Sequence, residues 1–254
     1  MIPDEYVQKV VDRYGINIQT GSPVILAAQS IYPILSEWAG TQLEEIKFSG
    51  SHAKGTAIAG RSDTDLFISL KPDTTNTLKE IYYSLNQRMR SKGYQTKLQN
   101  VSIKVTHQGI EVDLVPGVRL PGNSNDHWLY IRKPERERTK TNIYKHIDVV
   151  RSSGRTEEIK AIKIWATNHK LDFSSIYLEL TVINALSGYR MGLSANNVLR
   201  VLEYLGDNFI DEQVVDPSNS ANIISNDLTI QEKQIIATQA NTSRLSTMWD
   251  NIFW

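Results

Sequence analysis

An α+β fold, with a mixed β-sheet and flanking helices followed by a helical lobe, is what this sequence predicts, and three observations carry the prediction. Short runs with strand character recur at 45–49, 66–70, 94–99, 101–107, 110–115 and 127–131. From about Thr139 the texture changes, and apolar residues recur at helical spacing over 142–151, 155–170, 174–188, 194–206 and 227–247, with Gly154, Gly188 and Gly206 at breaks. The length of 254 residues is enough for one large domain or two modest ones. The expected division is an α/β lobe over residues 1–125, including an N-terminal helix, and a helical lobe over 126–254, with an active cleft between them.

The elements can be justified in order. Ser22 is placed to cap a helix over 22–39, Pro23 suits its first position and Gly40 its end. A strand at 45–49 runs into Gly50-Ser51, which opens a short helix, and a second strand covers 66–70. Residues 76–92 put Leu78, Ile81, Leu85 and Met89 on one helical face, stopped by Gly93. Asn100 and Gln108-Gly109 read as hairpin turns between the next three strands. The charged run 132–140 interleaves Glu135 and Glu137 with basic residues and reads as a solvated connector. The terminal Trp249, Phe253 and Trp254 read as cover for the core or as a dimer contact.

Composition removes several function classes. Lys plus Arg and Asp plus Glu both number 28, so any anion site must be built locally rather than by a globally basic surface. The absence of cysteine excludes disulfides, thiolate nucleophiles and Cys-ligated zinc. The acidic start at Asp4-Glu5 is unlike a signal peptide, and no run approaches the roughly 18 apolar residues of a spanning helix. A cytoplasmic protein with no membrane partner is the expectation; the oligomeric state is left open.

Segment 48–70 concentrates the chemistry. Orphan N–H groups at a helix opened by Gly50-Ser51 suit a phosphate. Asp63 and Asp65 flank Thr64 at a strand start, so alternation puts both carboxylates on one face. They repel unless a divalent cation lies between them, which asks for Mg²⁺ or Mn²⁺, and the adjacent cradle asks for a nucleoside triphosphate. Farther on, Glu111 and Asp113 share a face of another strand. Asp113 is assigned as the third carboxylate, supplied from a neighbouring antiparallel strand, with Glu111 as the fallback. Three such carboxylates can hold two ions about 3.5–4 Å apart across an in-line displacement.

Gly50-Ser51, Asp63-Thr64-Asp65 and Asp113 together resemble the polymerase-β-like nucleotidyltransferase superfamily. Within it, "GSHAKGTAIAGRSDTDLFISL" and "EVDLVPG" are similar to bacterial CD-NTases, which resemble oligoadenylate synthases, and to archaeal-type CCA-adding enzymes. The resemblance spans roughly residues 40–225 and implies a two-lobed nucleotidyltransferase fold. "IKAIKIWA" and "SSIYLELTVINAL" resemble a helix pair that carries a triphosphate-binding Lys and a nucleotide-contacting Tyr, here Lys163 and Tyr177. From the residues alone, Lys160 and Lys163 share a helical face, and the resemblance favours Lys163. "TNIYKH" matches a segment supplying a cleft histidine, here His146. "VVDPSNSANI" matches a cleft-closing segment through Asp216, Pro217 and Asn222. His52 departs from the aromatic many CD-NTases carry after Gly-Ser, and the appended tRNA-gripping domains of CCA-adding enzymes are not expected here.

The implied activity is metal-dependent nucleotidyl transfer from NTPs with release of pyrophosphate. A CD-NTase-like synthase of cyclic or short oligonucleotide signals in bacterial defence is the first expectation. Template-independent addition to an RNA (tRNA) 3′ end is the alternative, with RNA as acceptor. A catalytically silent nucleotide-binding module is the third, opposed by the intact carboxylates.

Overall fold

Helical and strand periodicities segregate into two units in the computed structural model, which describes residues 2–16, 22–60, 64–107, 109–122, 124–133 and 136–254. One unit comprises residues 18–53 and 63–145; the other comprises 1–17, 54–62 and 146–254. This differs from a cut at residue 125, because residues 127–133 and 136–141 supply strands to the sheet of the first unit.

In the first unit, helix α2 (Pro23–Ala39) is capped by the Ser22 hydroxyl, which accepts from Ile25 N, and ends at Gly40 with φ +54°. Strands β1 (Leu43–Ser49), β2 (Thr64–Leu70), β3 (Gln95–Leu98), β4 (Ile103–His107) and β5 (Ile110–Arg119) run β1-β2-β5-β4-β3 across one sheet. The far end of β5 also pairs with β6 (His127–Lys133), which pairs with β7 (Arg136–Thr141). A short helix, α3 (Gly50–Lys54), follows β1 directly. Helix α4 (Leu78–Ser91) starts with a Thr77/Glu80 capping box and is followed by Gly93 at φ +86°.

The β2–β5 pairing is parallel, whereas β5 was expected to run antiparallel to its carboxylate-bearing neighbour. Connectivity explains the difference. Helix α4 carries the chain back across the sheet so that β3 starts in the β2 direction, and two successive antiparallel pairings return β5 to that direction. The charged run at 132–140 is also not a connector. Its described residues form the end of β6 and edge strand β7, where Lys140 pairs with Trp128 in register and Arg138 lies 4.6 Å over the Trp128 ring. Charged side chains suit a strand edge that must not recruit other chains.

Alternation sets the two faces of this sheet. Leu66, Ile68 and Leu70 of β2 and Val112 and Leu114 of β5 pack under Ile31 and Leu35 of α2 and Leu85 and Met89 of α4. Asp65, Phe67 and Ser69 therefore point to the opposite face, as do Asp113 and Val115. There Phe67 packs with Leu129 and Ile143.

The second unit is helical: α1 (Pro3–Tyr14), α5 (Ile143–Ser152, whose start belongs to the sheet unit), α6 (Thr156–Asn168), α7 (Ser175–Ala185), α8 (Ala195–Asp207) and α9 (Ile230–Arg244). The N-terminal helix expected at 22–39 is α2, and the helix before it, α1, was not anticipated, although Pro3 at its first turn, Asp4 and Glu5 behind it and buried Val7 and Val11 are ordinary helix signals. A two-stranded hairpin, β8 (Val215–Asp216) with β9 (Asn219–Ile223), lies between α8 and α9. Trp165, Phe209 and Phe253 are fully buried in this unit's core, and Trp165 Nε1 donates to Ser243 Oγ at 3.0 Å. Phe253 thus belongs to the core, as one reading of the C-terminal aromatics expected, whereas Trp254 is exposed.

Candidate active site

Two of the three expected carboxylates are described, and β-sheet register brings them together. Asp65 sits second in β2 and is the register partner of Asp113 on β5, while Ser49 at the end of β1 is the register partner of Asp65 on its other side. Adjacent strands lie about 4.8 Å apart, so same-face side chains on register partners can share one cation. Asp113 is buried and accepts from Ser102 Oγ at 3.4 Å. The fallback, Glu111, pairs with Lys104 at 2.7 Å, and half of its side chain is exposed. Asp63 lies outside the described residues.

Gly50 fits this site closely. Its φ of +62° is left-handed backbone, and a Cβ built on it would lie 1.8 Å from Asp65 Oδ2. The turn from β1 into α3 thus brings bare backbone against the Asp65 carboxylate, with buried Ser51 next in the chain. A Gly50→Ala variant is expected to displace Asp65 and lower any metal-dependent turnover by about 100-fold, a loss typical of an ångström-scale misplacement. Steady-state kinetics beside a thermal melt would check this. Unchanged kcat/KM would show that the close approach has no role.

The donor set fits a hard divalent ion: carboxylate oxygens, with no sulfur or imidazole required. Asp65 and Asp113 would hold it. Among the described residues no group of three or more His, Cys, Asp or Glu gathers at a metal-binding spacing, so the described site is a pair.

The residues expected to contact nucleotide from the helical unit are placed otherwise. Lys163 is buried, with Nζ 2.6 Å from Glu179 Oε1, 3.1 Å from Thr56 Oγ1 and 3.3 Å from Thr56 O. Lys54 Nζ meets the other carboxylate oxygen at 2.5 Å, and Thr56 Oγ1 donates to Oε1 at 2.6 Å. Burial alone would raise the Glu179 carboxyl, but Lys54 and Lys163 outweigh it and hold the group below the usual carboxylate range. Lys163 is therefore an internal ion-pair partner in this geometry. Lys160, its rival, pairs with Glu157 at 2.8 Å.

Tyr177 is likewise interior. It is fully buried, its ring stacks on Phe209 with centroids 5.0 Å apart, and Phe173 meets it edge-on. A ring so enclosed has no face left for a nucleobase.

His146 and Asn222 converge on Asp216. His146 Nε2 is 2.7 Å from Asp216 Oδ1, and Asn222 Nδ2 donates to Oδ2 at 3.1 Å. Ser218 adds its N–H at 2.8 Å and its hydroxyl at 2.7 Å, both to Oδ1. Desolvation pushes the Asp216 carboxyl up, but the bonds from His146 and Ser218 overcome it and bring the group down to about 2. The cluster ties α5 to the β8–β9 hairpin. Because the folded-state value is depressed, its contribution to stability is complete above the unfolded value near 3.8 and is lost as pH falls towards 2. Asp216→Asn is expected to flatten that acid limb, which urea unfolding at pH 2–5 would measure. An unchanged pH profile would refute the assignment.

Sequence reasoning missed Lys54, Thr56 and Glu179. One signal was present: Glu179 stands alone among Tyr177, Leu178, Leu180 and Val182, on a helix apolar on all sides. A carboxylate there requires buried cations.

Comparison with known proteins establishes the fold. No protein-family model matches the chain, and no curated protein matches its sequence. Among solved structures, Escherichia coli MS115-1 CdnC with ATP is 18% identical, covering 99% of this chain and 98% of that one at TM-score 0.75. Bradyrhizobium diazoefficiens CD-NTase CdnG in complex with GTP is 12% identical, with 97% and 91% covered and TM-score 0.73. Cid1 poly(U) polymerase bound to MgATP is 12% identical, with 98% of both chains covered and TM-score 0.68. The chain has the nucleotidyltransferase fold that these proteins share. No helix among the described residues is long and apolar enough to cross a membrane.

Proposed function

We propose that this protein is a metal-dependent nucleotidyltransferase that joins nucleotides into a cyclic or short oligonucleotide signal in bacterial defence. The observation that carries the reading is the register pairing of Asp65 with Asp113, with Gly50 backbone packed against the Asp65 carboxylate, on a fold shared with CD-NTases. In this reading an acceptor hydroxyl attacks the α-phosphorus of an NTP. The new P–O bond forms as the bond to pyrophosphate breaks, and the hydroxyl proton leaves to solvent.

Asp65 and Asp113, with Asp63 as the third carboxylate, would hold Mg²⁺ or Mn²⁺, which would neutralise charge on the phosphates and acidify the attacking hydroxyl. Gly50 and Ser51 bring backbone N–H groups to the triphosphate. The Glu179 and Asp216 clusters keep the helical unit in shape, and Lys163, His146 and Asn222 act through them.

Incubation with all four labelled NTPs and Mg²⁺ or Mn²⁺, with and without tRNA, tests the reading. Small phosphatase-resistant products are expected. Label on RNA would instead select 3′-end addition, a second reading favoured by the likeness to a poly(U) polymerase. No pyrophosphate release under any condition would leave nucleotide binding without catalysis and overturn the proposal.

A further inference from the structure

The loop at residues 186–194, between α7 and α8, presents large side chains to solvent on a backbone held from beneath. Met191 is 67% exposed and Tyr189 44%. Under them the buried Arg155 guanidinium donates to the carbonyls of Leu186 at 2.9 Å, Tyr189 at 2.5 Å and Arg190 at 2.9 Å, and pairs with Glu158 at 2.9 Å. Asn197, in the first turn of α8, donates to Arg190 O at 3.1 Å and Gly192 O at 2.9 Å. Two buried side chains thus fix the loop through carbonyls that water could have satisfied. Apolar side chains held ready in water gain nothing for folding, yet they lower the ordering cost of binding.

The loop forms one wall of a groove of about 830 Å³ that Arg190, Arg200 and Trp249 also line. The Arg200 guanidinium lies 4.2 Å over the Tyr189 ring. Asp4, the groove's acid, is committed: its carboxylate accepts from Ala195 N at 2.7 Å, at the start of α8. Two arginines, Arg190 and Arg200, against the single Asp4 leave the groove lining with a positive balance of charge.

We propose that this groove docks a protein partner through a short acidic segment carrying an apolar anchor. Carboxylates of the segment meet Arg190 and Arg200, and the anchor packs on Tyr189, Met191 and Trp249. Tyr, Trp and Arg are the residue types that dominate binding energy at interfaces, and an unbranched Met adapts to the anchor's shape. All of these residues belong to the helical unit, whereas Asp65 and Asp113 belong to the sheet unit, so docking does not rest on the proposed catalysis.

The test uses the full chain and fluorescein-labelled peptides of about 12 residues, a length that spans such a groove, with paired Glu flanking a central Leu, Phe or Trp. Anisotropy should detect saturable binding that weakens about tenfold in Met191→Asp and in Arg200→Glu, at unchanged melting temperature and unchanged pyrophosphate release. Exchanging Glu for Lys in the peptide should abolish binding to the unaltered chain and restore it to the Arg190→Glu/Arg200→Glu variant. Binding no stronger than that of Ser-substituted peptides, or binding indifferent to both single variants, would overturn the proposal. So would tighter, variant-sensitive binding of an RNA oligonucleotide, or sedimentation showing self-association that Met191→Asp abolishes.

Discussion

Asp113→Asn is expected to abolish turnover while leaving the metal-free protein at least as stable as the unaltered chain. The substitution conserves volume and can keep the Ser102 contact. It removes one of two like charges on register partners, a relief worth a few tenths to about 1 kcal/mol. Turnover should fall by at least about 100-fold, because an amide is a poor ligand for a hard dication and supplies no charge to offset it. Metal linkage separates this from a generic defect. Mg²⁺ at 100 times its dissociation constant should stabilise the unaltered chain by about 2.7 kcal/mol and leave the variant's melting temperature unmoved. Glu111→Gln should change turnover by no more than a few-fold, since Glu111 is tied to Lys104. Undiminished pyrophosphate release by Asp113→Asn, or an equal Mg²⁺ response, would remove the carboxylate pair from the chemistry.

What could be read from the sequence follows from how local the governing physics is. The helix at α2 was legible because Ser22, Pro23 and Gly40 act within one turn of its ends. The α4 boundary was legible for the same reason, through Leu78, Ile81, Leu85 and Met89 on one face and Gly93 beyond it. The direction of β5 was not, because it depends on a crossover and two hairpins rather than on any residue within it. The edge strand β7 was hidden by its own solubility: charges that protect a strand edge look like a loop in sequence.

The site divides along the same line. The shared strand face of Asp65 and Asp113 was legible because alternation fixes it, and the turn at Gly50 because the chain leaves a strand there. Lys163 and Tyr177 were matched by pattern, and pattern does not reveal which side of a helix is interior. In α6 and α7 the buried positions run consecutively, from Ala161 to Ala166 and from Tyr177 to Val182, so no amphipathic stripe marks an outward face there. A lysine there looks available in sequence and is enclosed in the fold.

Glu179→Gln tests that enclosure, and it should produce the largest loss of stability of any substitution considered. The carboxylate is completely buried and joins Lys54 and Lys163, themselves buried, so the amide would remove the negative charge that these two ammonium groups share. Removing one partner from a buried ion pair costs about 3–5 kcal/mol, which in a chain this long lowers the melting temperature by on the order of 10 °C. An apolar replacement of the whole cluster, Lys54→Met/Lys163→Met/Glu179→Leu, should recover most of the loss, since the penalty comes from unpaired charge rather than lost packing. Lys163→Met alone should be milder, because Lys54 still answers Glu179, and it should leave KM for NTPs unchanged. A raised KM at unaltered stability would instead return Lys163 to the triphosphate. The pH dependence has a definite sign. With the folded Glu179 value depressed, its contribution is complete above the unfolded value near 4.5 and disappears as pH falls through the folded one. The gap between the unaltered chain and Glu179→Gln should therefore be widest near neutrality and close on acidification, and a gap independent of pH would mean that the cluster's charge is not what holds it together.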